Sequence, residues 1–299
     1  MNLFQEKNIK PMLLEEQKEP FNSDKHYFEI KYDGIRALIY VSPKEFVIKS
    51  RNNKDITKKY PELKEIQKLV NFPTIFDGEL VIFKNNIPDF SEILKRSHLT
   101  KEREILLQSK ENPVIFICFD ILYQQKELIN KPLFFRKEVL NKIPDTDVFI
   151  KSIYIETQGI SLFNKIKELY LEGIVAKEKD SLYVPNTRSH SWIKIKNLQT
   201  EVFYIGGYSE KENTPFFSAY LGEFQNKEFL FVGKVSIPKK EKIYEKLKKE
   251  HKKQSPFINF HEENIYYCTP KIACFIEYLE RSKKNHLRHP VYRGTKKNK

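Results

Sequence analysis

Short β-rich runs dominate the first fifty residues. Apolar and polar positions alternate over 26–30, 36–41 and 46–50, with breaks at Asp33-Gly34 and Ser42-Pro43. A period of two turns one face to a core and the other outward, so antiparallel sheet is expected here. Pro61 then opens a stretch with Leu63, Ile66, Leu69 and Val70 at helical spacing, and strand pieces follow at 75–76 and 80–83 on either side of Asp77-Gly78-Glu79. Helices are predicted over 90–99 and, entered through Pro132, over 134–143. Between them 114–123 is almost continuously apolar, the pattern of a buried strand. Ser161 is placed to cap a helix through Leu171, after which 173–177 and 191–196 return to strand character.

Beyond Asn197 the texture changes. Short strands are predicted at 203–208, 220–224, 229–235 and 272–279, with a Lys-rich amphipathic helix over 238–251. Five or so strands and one helix in about a hundred residues fit an OB-type barrel. The expectation is an α+β chain whose first domain, 1–198, mixes antiparallel sheets with helices, followed by a β-barrel domain, 199–299.

Composition narrows the partners. The 299 residues are 40% hydrophobic, enough for a substantial core, which excludes a disordered or fibrous chain. Fifty-three Lys and Arg against 40 Asp and Glu leave a net charge of +13, suited to a polyanion such as nucleic acid. Arg281, Lys283, Lys284, Arg288, Arg293, Lys296, Lys297 and Lys299 follow Glu280 with no acidic residue among them. Cys118, Cys268 and Cys274 are spaced for neither a disulfide framework nor a zinc knuckle and read as buried thiols. No apolar stretch approaches the roughly 20 residues that span a bilayer. A cytoplasmic, nucleoid-associated protein is therefore expected.

Lys31 ends a β-rich run and precedes Asp33-Gly34, so its ammonium can project from a turn into a cleft. A free lysine, with a pKa of about 10.4, attacks phosphorus only where burial or neighbouring cations lower that value. Arg36, Lys194 and Lys196 are the candidate cations. By itself Lys31-Tyr32-Asp33-Gly34 reads more readily as a turn carrying a surface lysine.

The ordered set downstream changes the balance: Ser50-Arg51-Asn52, Phe76-Asp77-Gly78-Glu79-Leu80, Phe116 to Asp120, Glu172-Gly173-Ile174-Val175-Ala176-Lys177 and Trp192-Ile193-Lys194-Ile195-Lys196. In these residues the chain resembles the covalent nucleotidyltransferases, specifically ATP-dependent DNA ligases, over nearly its whole length. The resemblance implies a nucleotidyltransferase (adenylation) domain before an OB-fold domain. It implies three displacements at phosphorus, namely lysyl-AMP formation on Lys31, transfer of AMP to a 5′-phosphate, and attack by a 3′-hydroxyl. It also implies ATP and Mg²⁺ or Mn²⁺ as cofactors.

Carried over by motif position, Glu29 accepts from the adenine amino group and Phe119 stacks on the purine. Arg36 and Arg51 bind the ribose side and phosphates, Arg51 also contacting DNA. Glu79 and Glu172 contact ribose or metal, and Asp33 shapes the loop or assists the metal. Lys194 and Lys196 share one strand face toward the triphosphate, with Ile193 and Ile195 on the other.

Leu287 to Gly294 resembles the closing motif of the ligase module of bacterial non-homologous end-joining ligases. That likeness gives Arg288 the pyrophosphate and Arg293, Lys296 and Lys297 the DNA. Lys296 and Asn298 stand where the family carries arginine and aspartate, and lysine cannot form arginine's bidentate fork. Glu172-Gly173 and Trp192 favour a DNA ligase over a capping guanylyltransferase; an RNA ligase is the nearer enzymatic rival, and a non-catalytic nucleic-acid-binding module the rival of another class. Nicked or broken duplex DNA is the expected substrate, with a monomeric chain and a bacterial Ku protein as partner.

Overall fold

The strand Ser23–Ile30 buries Tyr27, Phe28 and Glu29 in the computed structural model, which describes residues 2–210, 213–250, 252, 254–282 and 284–296. It is the fourth of five strands in the order Leu13–Gln17, Arg188–Lys196, Gly173–Glu178, Ser23–Ile30 and Tyr154–Thr157. A second, six-stranded sheet runs Phe149–Lys151, Ile115–Gln124, Thr74–Val81, Ile35–Ser42 and Glu45–Ser50, with Lys126–Glu127 paired to Ile115–Gln124. Pairing is antiparallel except where the edge strands Leu13–Gln17 and Phe149–Lys151 join in parallel.

Both faces of the six-stranded sheet are covered, which explains its unbroken apolar runs. On one face Ala37, Ile39, Phe76, Leu80, Phe116 and Phe149 form a core. On the other, Leu38, Tyr40, Ile75 and Leu122 pack with Met12, Tyr27, Tyr183 and Trp192, which tie the two sheets together. The far side of the five-stranded sheet buries Phe28, Ile174, Ala176 and Ile195 beneath Ile166 of the helix Gly159–Glu168.

Several expectations need correction. Asp77-Gly78-Glu79 does not separate two strand pieces: it lies inside the single strand Thr74–Val81, where Asp77 is fully buried and paired with Arg36. Ser161 caps nothing, because the helix begins at Gly159 after Gln158, which provides no side-chain cap. The stretch Pro61–Leu69 is a 3₁₀ helix. The helix Glu102–Glu111 went unread in a sequence rich in charge with no capping side chain before it.

The chain forms two compact units, Met1–Asn197 and Leu198–Lys299. In the second unit the strands run Glu228–Pro238, Phe216–Gln225, Gln199–Glu210, Ala273–Tyr278 and Val291–Thr295, with Tyr266–Tyr267 paired to Gln199–Glu210. They enclose a core of Phe203, Phe217, Leu221, Val235, Cys274 and Ile276, closed by Ile243 and Leu247 of the helix Lys242–Lys248, beside a second, aromatic cluster of Tyr220, Phe229, Phe231, Phe257 and Tyr267. The first three strands are longer than the pattern suggested, whereas the strand expected at 272–279 and the helix are shorter. Asn226 and Lys227, both at positive φ, form the tight turn of the hairpin Phe216–Gln225 and Glu228–Pro238.

Candidate active site

A cleft of about 410 Å³ opens between the two sheets of the first unit. Leu14, Glu29, Lys31, Arg36, Glu79, Phe119, Lys177 and Trp192 contribute to its lining. The sheet registers explain the convergence: Arg36 lies opposite Glu79, Val175 opposite Glu29, and Lys177 opposite Trp192.

Lys31 follows the last residue of its strand and is pinned through its backbone N–H to Gly173 O at 2.9 Å. Two glycines make the approach possible. A Cβ on Gly34 would lie 2.3 Å from Leu80 O, and one on Gly173, at φ +150°, would lie 2.2 Å from Ile195 O. The Lys31 ammonium donates to Glu172 Oε2 at 2.6 Å. Burial pushes the Glu172 carboxyl above the usual carboxylate range in spite of that lysine. Burial likewise pushes Glu79 up to about 8, with Glu172 and Asp77 adding repulsion and Lys31 and Arg36 opposing it.

The first partner of Lys31 is not one of the expected cations, although Arg36 lines the same cleft. That partner is a carboxylate, and the candidate cations are engaged elsewhere. Arg36 grips buried Asp77 through two bonds of 3.0 and 2.7 Å, and Tyr183 donates to the same carboxylate at 2.7 Å. Lys194 and Lys196 share a strand face as read, but they pair with Glu16 of the neighbouring strand at 2.9 and 3.2 Å and do not line the cleft.

At the inner end, Phe119 and the fully buried Trp192 meet edge to face at 6.4 Å. Lys177 lies between them, 4.2 Å from the Phe119 centroid and 4.3 Å from that of Trp192, and it donates to Glu29 at 2.9 Å. Burial pulls the Lys177 ammonium down to about 8, with Glu29 opposing. Burial raises the Glu29 carboxyl, but Lys137 and Lys177 outweigh it and hold the group below its ordinary value. Neither lysine was singled out from sequence as a site residue. The available signal for Lys177 was its period-two register with Val175, which sends it to the cleft face of its strand.

Arg51 is exposed and lines a separate depression with Lys10, Leu13, Asn52 and Asn186. In the second unit Arg288 pairs with Glu280 and Arg293 with Glu277, while Lys296 is exposed. Lys297 and Asn298 fall outside the described residues.

Residues 11–196 match the ATP dependent DNA ligase domain, and 212–299 the ATP dependent DNA ligase C terminal region. The SPbeta prophage-derived DNA ligase-like protein LigB of Bacillus subtilis is 33% identical over 208 residues, covering 68% of this chain and 73% of that protein. The multifunctional non-homologous end joining protein LigD of Mycolicibacterium smegmatis is 28% identical over 286 residues, 91% of this chain. The chain spans about a third of that relative's length, 36%. Mycobacterial DNA ligase D, solved in complex with ATP and MES, superposes with a TM-score of 0.59 at 24% identity over 98% of this chain and 96% of the other, a likeness of fold. With both regions matched in order along a chain whose lysine sits at the mouth of such a cleft, the protein belongs to the ATP-dependent DNA ligase family.

Proposed function

We propose that this chain seals 5′-phosphate/3′-hydroxyl breaks in duplex DNA through a lysyl-AMP intermediate on Lys31, with ATP as the donor. In this reading 1–198 is the adenylation domain and 199–299 an OB-fold DNA-binding domain. The observation that carries it is the placement of Lys31 at the rim of a cleft that ends in an aromatic pair and an ionised glutamate. In this reading the purine stacks on Phe119 with its amino group toward Glu29 and the α-phosphate toward Lys31.

Attack by Lys31 Nζ forms the P–N bond as the bond from the α-phosphorus to pyrophosphate breaks. The nitrogen must first lose a proton, and Glu172, in contact with it and raised in basicity by burial, is placed to take it.

The donor set fits a hard divalent cation. Among the described residues no group of three or more His, Cys, Asp or Glu is placed to hold a metal, but Glu79 and Glu172 are two crowded carboxylates beside the nucleophile. Mg²⁺ is commonly bound through one or two carboxylates together with substrate phosphates and waters. Glu79 and Glu172 would hold it, and when bound it would neutralise charge developing on the phosphates.

Glu79 also sets a pH dependence of the nucleotide-free protein. Its raised carboxyl favours the folded state below the unfolded pKa near 4.5, and that contribution disappears as pH rises through about 8. Denaturant unfolding without ATP or metal is expected to show stability falling between pH 5 and 8. The loss is on the order of 2 kcal/mol, since a tenfold change in proton affinity is worth about 1.4 kcal/mol and partial exposure screens some of it. Glu79→Gln should flatten that slope; an unchanged slope in the variant would reject the assignment to Glu79.

Arg51, Arg293, Lys296 and Lys297 are assigned to DNA phosphates, on the net charge of +13. Binding then weakens steeply with salt. A bacterial Ku protein is the partner we propose for a monomeric, nucleoid-associated chain, a reading supported by the likeness to an end-joining relative. The deciding experiment supplies ATP and Mg²⁺ with a nicked DNA duplex or the same nick in RNA. Sealing of the DNA nick is expected; sealing confined to RNA, with lysyl-AMP formed, would move the chain to RNA ligation.

A further inference from the structure

The Glu29 carboxylate is fixed from several elements at once. Its backbone lies in the sheet between Val175 and Tyr154, and the residue is 2% exposed. Lys177 and the Ser152 hydroxyl donate to Oε2 at 2.9 and 3.1 Å. Lys137 Nζ sits 2.6 Å from Oε1, and neither of those two atoms finds another partner among the described residues. Lys137 comes from the helix Leu133–Asn141, outside every motif that marks the cleft, and it is itself 2% exposed. Its neighbour Arg136 anchors the helix by gripping Asp120, the residue after Phe119.

Burying an ammonium beside a carboxylate is a weak way to stabilise a fold, because desolvation offsets the attraction. It does fix a protonation state. An ionised carboxylate only accepts hydrogen bonds, whereas a neutral carboxyl also donates. Adenine presents an amino donor where guanine presents a carbonyl acceptor.

We propose that Lys137, supported by Ser152, is a specificity-determining positioning residue: it holds the Glu29 carboxylate as a fixed acceptor and so makes the cleft select adenine over guanine nucleotides. This rests on the reading of Glu29 as the group that meets the base. Without Lys137, burial drives Glu29 toward the neutral acid, whose O–H donates to the guanine carbonyl, and discrimination falls. The other groups around Glu29 are Lys177, the Ser152 hydroxyl, Tyr154 opposite it in the sheet and Tyr32 on its own segment, while Cys118 and the Arg136-bound Asp120, from the strand Ile115–Gln124, lie near Lys137 and Lys177. Of these only Lys177 offers Glu29 a second positive charge.

The test measures kcat/KM for enzyme–nucleotide formation with ATP and with GTP, from about pH 6 to 8. In the unmodified protein the ATP/GTP ratio is expected to stay constant over that range. Lys137→Met should lower it by about tenfold or more at the acid end, with recovery as pH rises, and Lys137→Arg should restore it. A wild-type ratio that drops on acidification overturns the proposal even if Lys137→Met does not fold, as does a Lys137→Met ratio equal to wild type throughout. Glu29→Gln separates the two layers. If its ratio is unchanged, Glu29 does not face the base; if its ratio collapses while that of Lys137→Met holds, Glu29 faces the base and the lock by Lys137 is wrong.

Discussion

Lys31→Ala is expected to abolish acid-stable labelling of the protein by ATP carrying label at the α-phosphate, a loss of at least about 10⁴-fold. Among the described residues that line or flank the cleft, no other amine is placed to take over. Lys177 is buried under Phe119 and bound to Glu29, and Lys194 and Lys196 are tied to Glu16. The substitution leaves the fold intact, because Lys31 is partly exposed and its backbone bond to Gly173 does not depend on the side chain. Lys31→Arg sharpens the result: it restores a positive charge beside Glu172 but supplies no nucleophile at neutral pH, so it should remain unlabelled. Label on Lys31→Ala at the wild-type level would remove Lys31 from the mechanism. Retained labelling in Lys31→Arg alone would make its contribution electrostatic.

The residues around Lys31 were legible to different degrees, and the reasons are physical. Arg36 and Glu79 lie opposite each other in the register, so once Lys31 is placed they reach one cleft, while Phe119 enters it as the extra residue of a bulge between Cys118 and Asp120. Arg51 follows a strand but lies in a turn, where no periodicity dictates direction, and the turn carries it to a separate depression. Lys194 and Lys196 were assigned to the correct shared face, but their partner Glu16 was invisible because the edge strand Leu13–Gln17, with two glutamates in five residues, carries a weak strand signal. Lys137 and Lys177 illustrate the opposite difficulty. A lysine in a sequence reads as solvated, and only the packing of a helix and a strand around Glu29 shows that these two are buried.

The same helix carries the second large effect. Arg136 and Asp120 are both wholly buried and joined by two bonds of 2.8 Å, while Arg136 also donates to the Lys131 and Ser181 carbonyls and Asp120 accepts from Ile121 N–H. Arg136→Met keeps the volume but strands the Asp120 carboxylate and those carbonyls without their donor. Breaking a buried pair from one side typically costs about 3–5 kcal/mol. A loss of that size is expected in denaturant unfolding followed by the fluorescence of Trp192, the single tryptophan of the chain, which is buried in the first unit. The companion Asp120→Leu removes the carboxylate but strands the guanidinium, and should cost a similar amount. The double variant Asp120→Leu/Arg136→Met leaves neither charge, so it should be more stable than the sum of the two losses implies. A loss below about 1 kcal/mol for Arg136→Met would mean that water reaches Asp120 when the arginine is gone. The helix would then be held by its apolar contacts, with Leu133 and Leu140 in the two cores it joins, and the placement of Lys137 over Glu29 would not depend on its neighbour.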